Sequence, residues 1–307
     1  MSDSKEIFAT PKVRKFAREL GANIHKVVGT ARDGRITEED VKNFVNSSLS
    51  NEKDFPKLNE KKLQKIEYDH TEFGEVEVKD MPRIKKIAAP NLSFSWKTIP
   101  HVTHHDEADV TELENFRSSL TDNFTGEKKK ITPLVFIIKS LVKALKKYPN
   151  FNCSIDDIEK GKMTLKKYFH IGIAVDTKHG LMVPKLRDAD KKNLTQMTDE
   201  LKDISEKSRN LKIDKKEFYG GSITITSLGG IGGTFFTPII NYPEVAILGI
   251  GRTYSKQALI KDNFEKRIML PISLSYDHRI IDGAEAARFC NEIKENLGKN
   301  FAYKLAQ

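Results

Sequence analysis

Alternation of apolar and polar positions is clearest near the end of the chain, in Met269–Gly283. Leu270, Ile272, Leu274 and Tyr276 share one face, with Pro271, Ser273 and Ser275 opposite, the period of a half-buried strand. After Gly283 the period turns helical, with Ala284, Ala287 and Ile293 on one face and Gly298 as a stop. Upstream, Thr132-Pro133 caps a strongly apolar helix that Pro149 ends, and Leu194, Met197, Leu201 and Ile204 mark an amphipathic one. Leu113 and Phe116 belong to a shorter helix from Thr111. Phe169–Asp176 and Leu181–Leu186 read as paired strands around the turn Lys178-His179-Gly180. Ser222–Ser227 and His101–Val110 are further strands. The order predicts an α+β domain, a mixed β-sheet flanked by helices.

The first 46 residues have a different texture. Thr10-Pro11 opens a helix with Val13, Phe16, Ala17 and Leu20 on its apolar face and Gly21 at its end. A turn-rich loop, Val28 to Arg35, leads to Thr37-Glu38-Glu39-Asp40, a capping-box pattern, and to Val41, Phe44 and Val45. So small a core points to a binding module. Residues 47–80 are polar and charged, a tether in which 58–66 has some helical pattern. The expected organisation is tail 1–6, small helical domain 7–46, linker 47–80 and main domain 81–307.

Length agrees with two domains: 307 residues, 38% hydrophobic and 31% charged. The net charge of +9 is spread among 43 acidic residues, without a basic stripe interleaved with aromatics. This argues against nucleic acid and for docking an acidic protein surface. Two cysteines, Cys153 and Cys290, make no disulfide framework and suit a reducing compartment, with Cys290 a packing residue. With neither a signal peptide nor a membrane span in the sequence, a cytoplasmic location is expected.

Chemistry concentrates where the last strand ends. His278 stands at a strand-to-helix junction, and imidazole titrates nearest neutrality, so it is either a general base or a buried histidine paired with Asp282. His101, His104 and His105 lie near carboxylates, but their alternation fits a strand with one polar face better than a metal site, and no metal is expected. The glycine-rich Leu228–Thr234 fails the dinucleotide fingerprint, because Phe235-Phe236-Thr237-Pro238 stands where a helix is required. Arg14 and Arg18 share one helix face.

His278-x-x-x-Asp282-Gly283 resembles a signature shared by chloramphenicol acetyltransferase and the acyltransferases of 2-oxo acid dehydrogenase complexes. The longer run Ser275–Gly283 favours the second family, as do the stretch 222–252 and residues 7–45, which resemble its peripheral subunit-binding domain. Pro100-His101-Val102-Thr103-His104 is similar to a run of the acetyl-transferring members.

The resemblance implies a chloramphenicol-acetyltransferase-like catalytic domain that moves an acetyl group between dihydrolipoamide and coenzyme A. It implies His278 as base toward the coenzyme A thiol and Thr226 as oxyanion donor, with Ser227 as fallback. It makes Asp282 a residue that orders the loop, through Arg279 or another arginine, and Asp176 and Phe236 lining of the substrate channel. Arg14, Arg18 and Arg35 would clamp carboxylates of the dihydrolipoamide dehydrogenase and pyruvate dehydrogenase components. It also implies a homotrimer, with His278 from one chain and Thr226 from its neighbour, built into a cubic or icosahedral core. The family's lipoyl domain has no counterpart in this sequence, so the lipoyl group would come in trans or from a longer protein. Branched-chain or succinyl transfer, a free-standing antibiotic acetyltransferase and a catalytically idle scaffold are the alternatives.

Overall fold

A computed structural model describes residues 8–51, 68–121, 126 and 131–306, without side chains for 46–51 and 306. The expected tail 1–6, the middle of the expected linker and its helical pattern at 58–66 lie outside the described residues. The chain divides into two compact units, Met1–Val78 and Lys79–Gln307.

In the first unit, α1 (Pro11–Glu19) starts at the Thr10 cap, whose hydroxyl accepts from Val13 N. It ends with Gly21 at φ +67°, where Gly21 N and Ala22 N close onto the carbonyls of Arg18 and Ala17. Helix α2 (Glu38–Asn51) continues beyond Val45 into what composition assigns to the tether. Val13, Ala17, Val27, Ile36 and Val41 form the small core.

So little apolar area needs help, and Asp40 supplies it. Its carboxylate accepts from Thr30 Oγ1 at 2.7 Å, Thr30 N at 3.2 Å, Thr37 N at 2.8 Å and Thr37 Oγ1 at 2.9 Å. Asp40 N donates to Thr37 Oγ1, so the capping box forms, with aspartate in the acid's place and the loop hydroxyl added. Gly29 passes against the backbone of Gly34 and Arg35, where a Cβ would lie 2.3 Å from Gly34 O. The loop closes only because that residue has no side chain.

In the second unit, α3 (Arg83–Thr98) is a helix that the pattern did not announce, since Pro90 interrupts it and deletes one amide donor. It leads to β1 (His101–Asp109), α4 (Thr111–Ser119) and α5 (Pro133–Lys147). The hairpin β2 (Cys153–Asp157) and β3 (Lys162–Leu165) follows, then β4 (Ile171–Ile173), β5 (Lys185–Leu186), α6 (Leu194–Arg209) and β6 (Ile223–Ser227). The chain ends with β7 (Ala246–Ile250), β8 (Tyr254–Ile260), β9 (Asn263–Asp277), α7 (Gly283–Leu297) and α8 (Phe301–Ala306).

The main sheet runs β1-β9-β7-β6-β4-β5, with β8 beside the outer half of β9. β4, β6 and β7 are mutually parallel and the remaining pairs antiparallel, so the sheet is mixed. Helix α5 buries most of its surface, and Phe151 stacks on Phe289 of α7 at 3.9 Å between centroids.

One expectation needs correction. The serine face of the last strand is not open to solvent: Ser273 is 1% and Ser275 0% exposed. β9 lies between β1 and β7, and each hydroxyl has a partner there, Thr103 Oγ1 at 2.8 Å from Ser275 and His105 Nδ1 at 2.9 Å from Ser273. Small hydroxylated residues read as surface in sequence, yet they bury readily once paired.

Hydrogen bonds from the Thr30 hydroxyl first, then the Thr37 amide, hold the Asp40 carboxyl below its usual 3.8, at about 2. A lowered acid stabilises the fold above its unfolded pKa and loses that contribution as pH falls through the folded value. Amide exchange protection across residues 13–45 is therefore expected to fall between about pH 4 and pH 2. Asp40→Asn should lower protection at pH 6 and flatten that dependence.

Candidate active site

Strand β9 delivers His278 to the end of the sheet, where its amide donates to Pro100 O at 3.1 Å. The turn that follows is locked by its neighbours. Asp277, 1% exposed, accepts from Arg279 Nε at 2.8 Å and Nη2 at 2.5 Å, and the amides of Ile280 and Ile281 close onto Asp277 O. His278 stands exposed between these two residues, its ring 5.8 Å from Tyr276. It is therefore not the buried histidine of the alternative reading, and Asp282 is not its partner.

Asp282 also differs from expectation, because Arg279 turns to Asp277 and not to it. Asp282 is the N-cap of α7 and accepts from Glu285 N at 2.7 Å. It orders the loop by fixing where the helix begins.

Thr226 is near the other end of the sheet. It pairs with Gly249 and, through Gly249, is level with Ser273, five residues before His278. At about 3.4 Å per residue and about 4.8 Å per strand, Thr226 and His278 of one chain stand about 19 Å apart. One chain does not bring them together.

A cleft of about 630 Å³ opens beside Thr226, lined also by Thr224, Phe236, Phe94, Tyr219 and Tyr242. Phe236 stands on the wall of this cleft. Asp176 lies instead in a second depression of about 620 Å³, with Ile173, Lys202, Arg209 and Ile231.

Beneath the first cleft lies a group that sequence reasoning missed. Lys185 Nζ is 2.5 Å from Glu244 Oε1, and Thr224 Oγ1 donates to Glu244 Oε2 at 2.6 Å. Lys185 and Glu244 are 2% and 3% exposed. Their signal was a lone charge inside each of two apolar runs, Leu181–Leu186 and Val245–Ile250 with its preceding residue. Buried ions persist only when paired and hydrogen-bonded.

The other candidates are simpler. Arg14, Arg18 and Arg35 are all exposed on the first unit, with Arg14 Nε donating to Ala9 O at 3.2 Å. Burial pushes the thiols of Cys153 and Cys290 up, to about 11 and about 12, so both stay protonated and inert. No helix among the described residues is long and apolar enough to cross a membrane.

Residues 73–303 match the model for 2-oxoacid dehydrogenases acyltransferase (catalytic domain), and residues 7–42 match the e3 binding domain. The chain belongs to the 2-oxoacid dehydrogenase acyltransferase family.

Within it, the similarity is to acetyl-transferring members. The chain is 48% identical over 294 residues to the dihydrolipoyllysine-residue acetyltransferase component of the pyruvate dehydrogenase complex of Cupriavidus necator, covering 93% of this chain and 53% of that protein. It is 44% identical over 306 residues to the Haemophilus influenzae component, covering 92% and 52%. The chain thus spans about half the length of these two relatives. The solved structure of Azotobacter vinelandii dihydrolipoamide acetyltransferase is 43% identical, with a TM-score of 0.73 over 77% of this chain and 97% of that one. A structure of the cubic core of the pyruvate dehydrogenase multienzyme complex matches at the same values.

If Asp282 acts as a cap, Asp282→Asn should keep thermal stability, since asparagine caps as well as aspartate. Asp282→Ala should cost about 1 kcal/mol. Thermal melts of the three proteins measure the difference, and an equal loss in both variants would contradict the cap role.

Proposed function

We propose that this chain transfers an acetyl group between dihydrolipoamide and coenzyme A, as the acetyltransferase core of a pyruvate dehydrogenase complex. One shared spacing carries the reading most directly. The structure of the Azotobacter protein is described by the roles of a serine, a histidine and an asparagine in its mechanism, 52 and then 4 residues apart. Thr226, His278 and Asp282 have those same separations. The two departures keep the needed property: threonine keeps the hydroxyl, and aspartate keeps the cap acceptor.

His278 accepts the proton of the coenzyme A thiol, and the thiolate attacks the acetyl thioester carbon. Negative charge collects on the carbonyl oxygen, where the Thr226 hydroxyl donates to it. The tetrahedral intermediate collapses, the dihydrolipoamide sulfur leaves, and the imidazolium returns its proton to that sulfur. No metal takes part in this sequence. Asp282 carries no proton, and Phe236 bounds the approach of a substrate through the Thr226 cleft.

Because one chain holds His278 and Thr226 about 19 Å apart, the site is proposed to form between copies, with His278 of one protomer facing Thr226 of the next. A cyclic homotrimer closes such a heterologous contact, and trimers then build the larger core. The proposed organisation is a binding domain at 7–46, a tether at 47–80 and a catalytic domain at 81–307. Arg14, Arg18 and Arg35 of the first part dock acidic faces of the dihydrolipoamide dehydrogenase and pyruvate dehydrogenase components, where forked guanidinium donors suit carboxylates. The lipoyl group comes from outside the described chain. A cytoplasmic setting fits two free thiols.

The test is acetyl transfer from acetyl-coenzyme A to dihydrolipoamide by the assembled protein. His278→Ala is expected to lose about 10²–10⁴ in kcat, and Thr226→Val about 10²–10³. Reaction only with other acyl chains would move the substrate and keep the family, whereas an assembled protein inert to every acyl donor would be a scaffold. Co-assembling the two inactive variants should restore part of the activity, since some interfaces then pair an intact His278 with an intact Thr226. Absence of any recovery would refute the shared site.

A further inference from the structure

One wall of the Thr226 cleft is irregular backbone. The segment 236–244 supplies Phe236, Ile239, Asn241 and Tyr242 to the cleft without belonging to any helix or strand. Such a wall keeps its shape only where its polar groups are tied down, and three ties are visible. Phe236 N donates to Ser273 Oγ at 3.3 Å, Ile240 N donates to His101 Nε2 at 3.0 Å, and Glu244 is held by Lys185 and Thr224.

The middle tie has an unusual consequence. His101 Nδ1 lies 2.7 Å from Ile99 O while Nε2 meets the Ile240 amide. An amide only donates, so Nε2 carries no proton; a carbonyl only accepts, so Nδ1 carries it. One neutral tautomer satisfies both contacts. The same stretch of β1 also reaches the catalytic turn. Pro100 O accepts from His278 N, and His101 is registered opposite Asp277.

We propose that His101 is a positioning residue that ties the wall of the Thr226 cleft to the strand end bearing His278. In a trimer of the kind proposed above, those two features belong to different active sites. His101 therefore sets the substrate-facing wall of one site and the backbone of the base in the next, touching neither substrate.

The inference rests on the transferase reading, and wild-type turnover separates the two. An inactive wild type would remove that reading, while an active one leaves His101 to be judged by its variants. In His101→Gln the side-chain oxygen is long enough to accept from Ile240 N; in His101→Asn the shorter amide reaches only toward Ile99. With assembly and melting temperature matched, the glutamine variant is expected within about threefold of wild-type kcat. The asparagine variant should fall about tenfold to a hundredfold, as for an ångström-scale misplacement, with KM changing less. Equal activity in the two variants, high or low, would overturn the proposal. If neither assembles, Ser273→Ala decides, because it frees the wall at Phe236 N and leaves His101 in place. A tenfold loss of kcat in assembled protein then supports the wall's role, and unchanged kcat overturns it.

Discussion

The antiparallel pairing of β9 is the constraint on which the catalytic unit depends. Its fifteen residues pair with β1 on one side and with β7 and β8 on the other. A strand held along both edges has no freedom to slide, because a shift of one residue would exchange its two faces. Its end is thereby fixed, and so is the His278 backbone. The Asp277–Arg279 pair continues this rigidity past the last ladder bond, and the Asp282 cap passes it on to α7. On such a support the proposed general base loses little orientation entropy when substrate arrives.

The same sheet keeps Thr226 and His278 of one chain apart. Parallel β6 and β7 carry Thr226 to one end of the sheet, while antiparallel β9 carries His278 to the other. No side-chain rotation spans that separation. In the proposed shared site, assembly is part of the chemistry, and the polar ties around the cleft acquire a purpose. Lys185 and Glu244 lose much hydration on burial, which hydrophobic packing at the same place would avoid. In return they hold Thr224 on the face of β6 that also carries Thr226, at the spacing of two residues.

The amino-terminal unit meets a different limit. Two short helices bury too little apolar surface to be stable by packing alone, so a carboxylate with four hydrogen bonds closes the loop. That arrangement leaves the arginines free of core duty. Arg18 and Arg35 stand exposed, and Arg14 keeps a backbone contact to Ala9 O.

Much of this was legible in the residues. Alternation marked the end of β9, helical period marked α1, α5, α6 and α7, and the histidine run named its own neighbourhood, because local periodicity reflects which faces are buried. Other parts were not. β8 was unforeseen because its turn, Lys261-Asp262, adopts the left-handed region without glycine. Helix α3 was hidden by Pro90, and the buried serines of β9 looked like surface. Asp282 was assigned an arginine partner, since sequence cannot tell a cap from an ion pair. By itself the sequence determined most of the elements, the family motifs and the chemistry of single side chains, all set by local spacing. Only the tertiary structure decided that Thr226 and His278 face opposite ends of one sheet, that Lys185 meets Glu244, and that His101 meets the Ile240 amide. Those are contacts between residues far apart in the chain, and no local pattern encodes them.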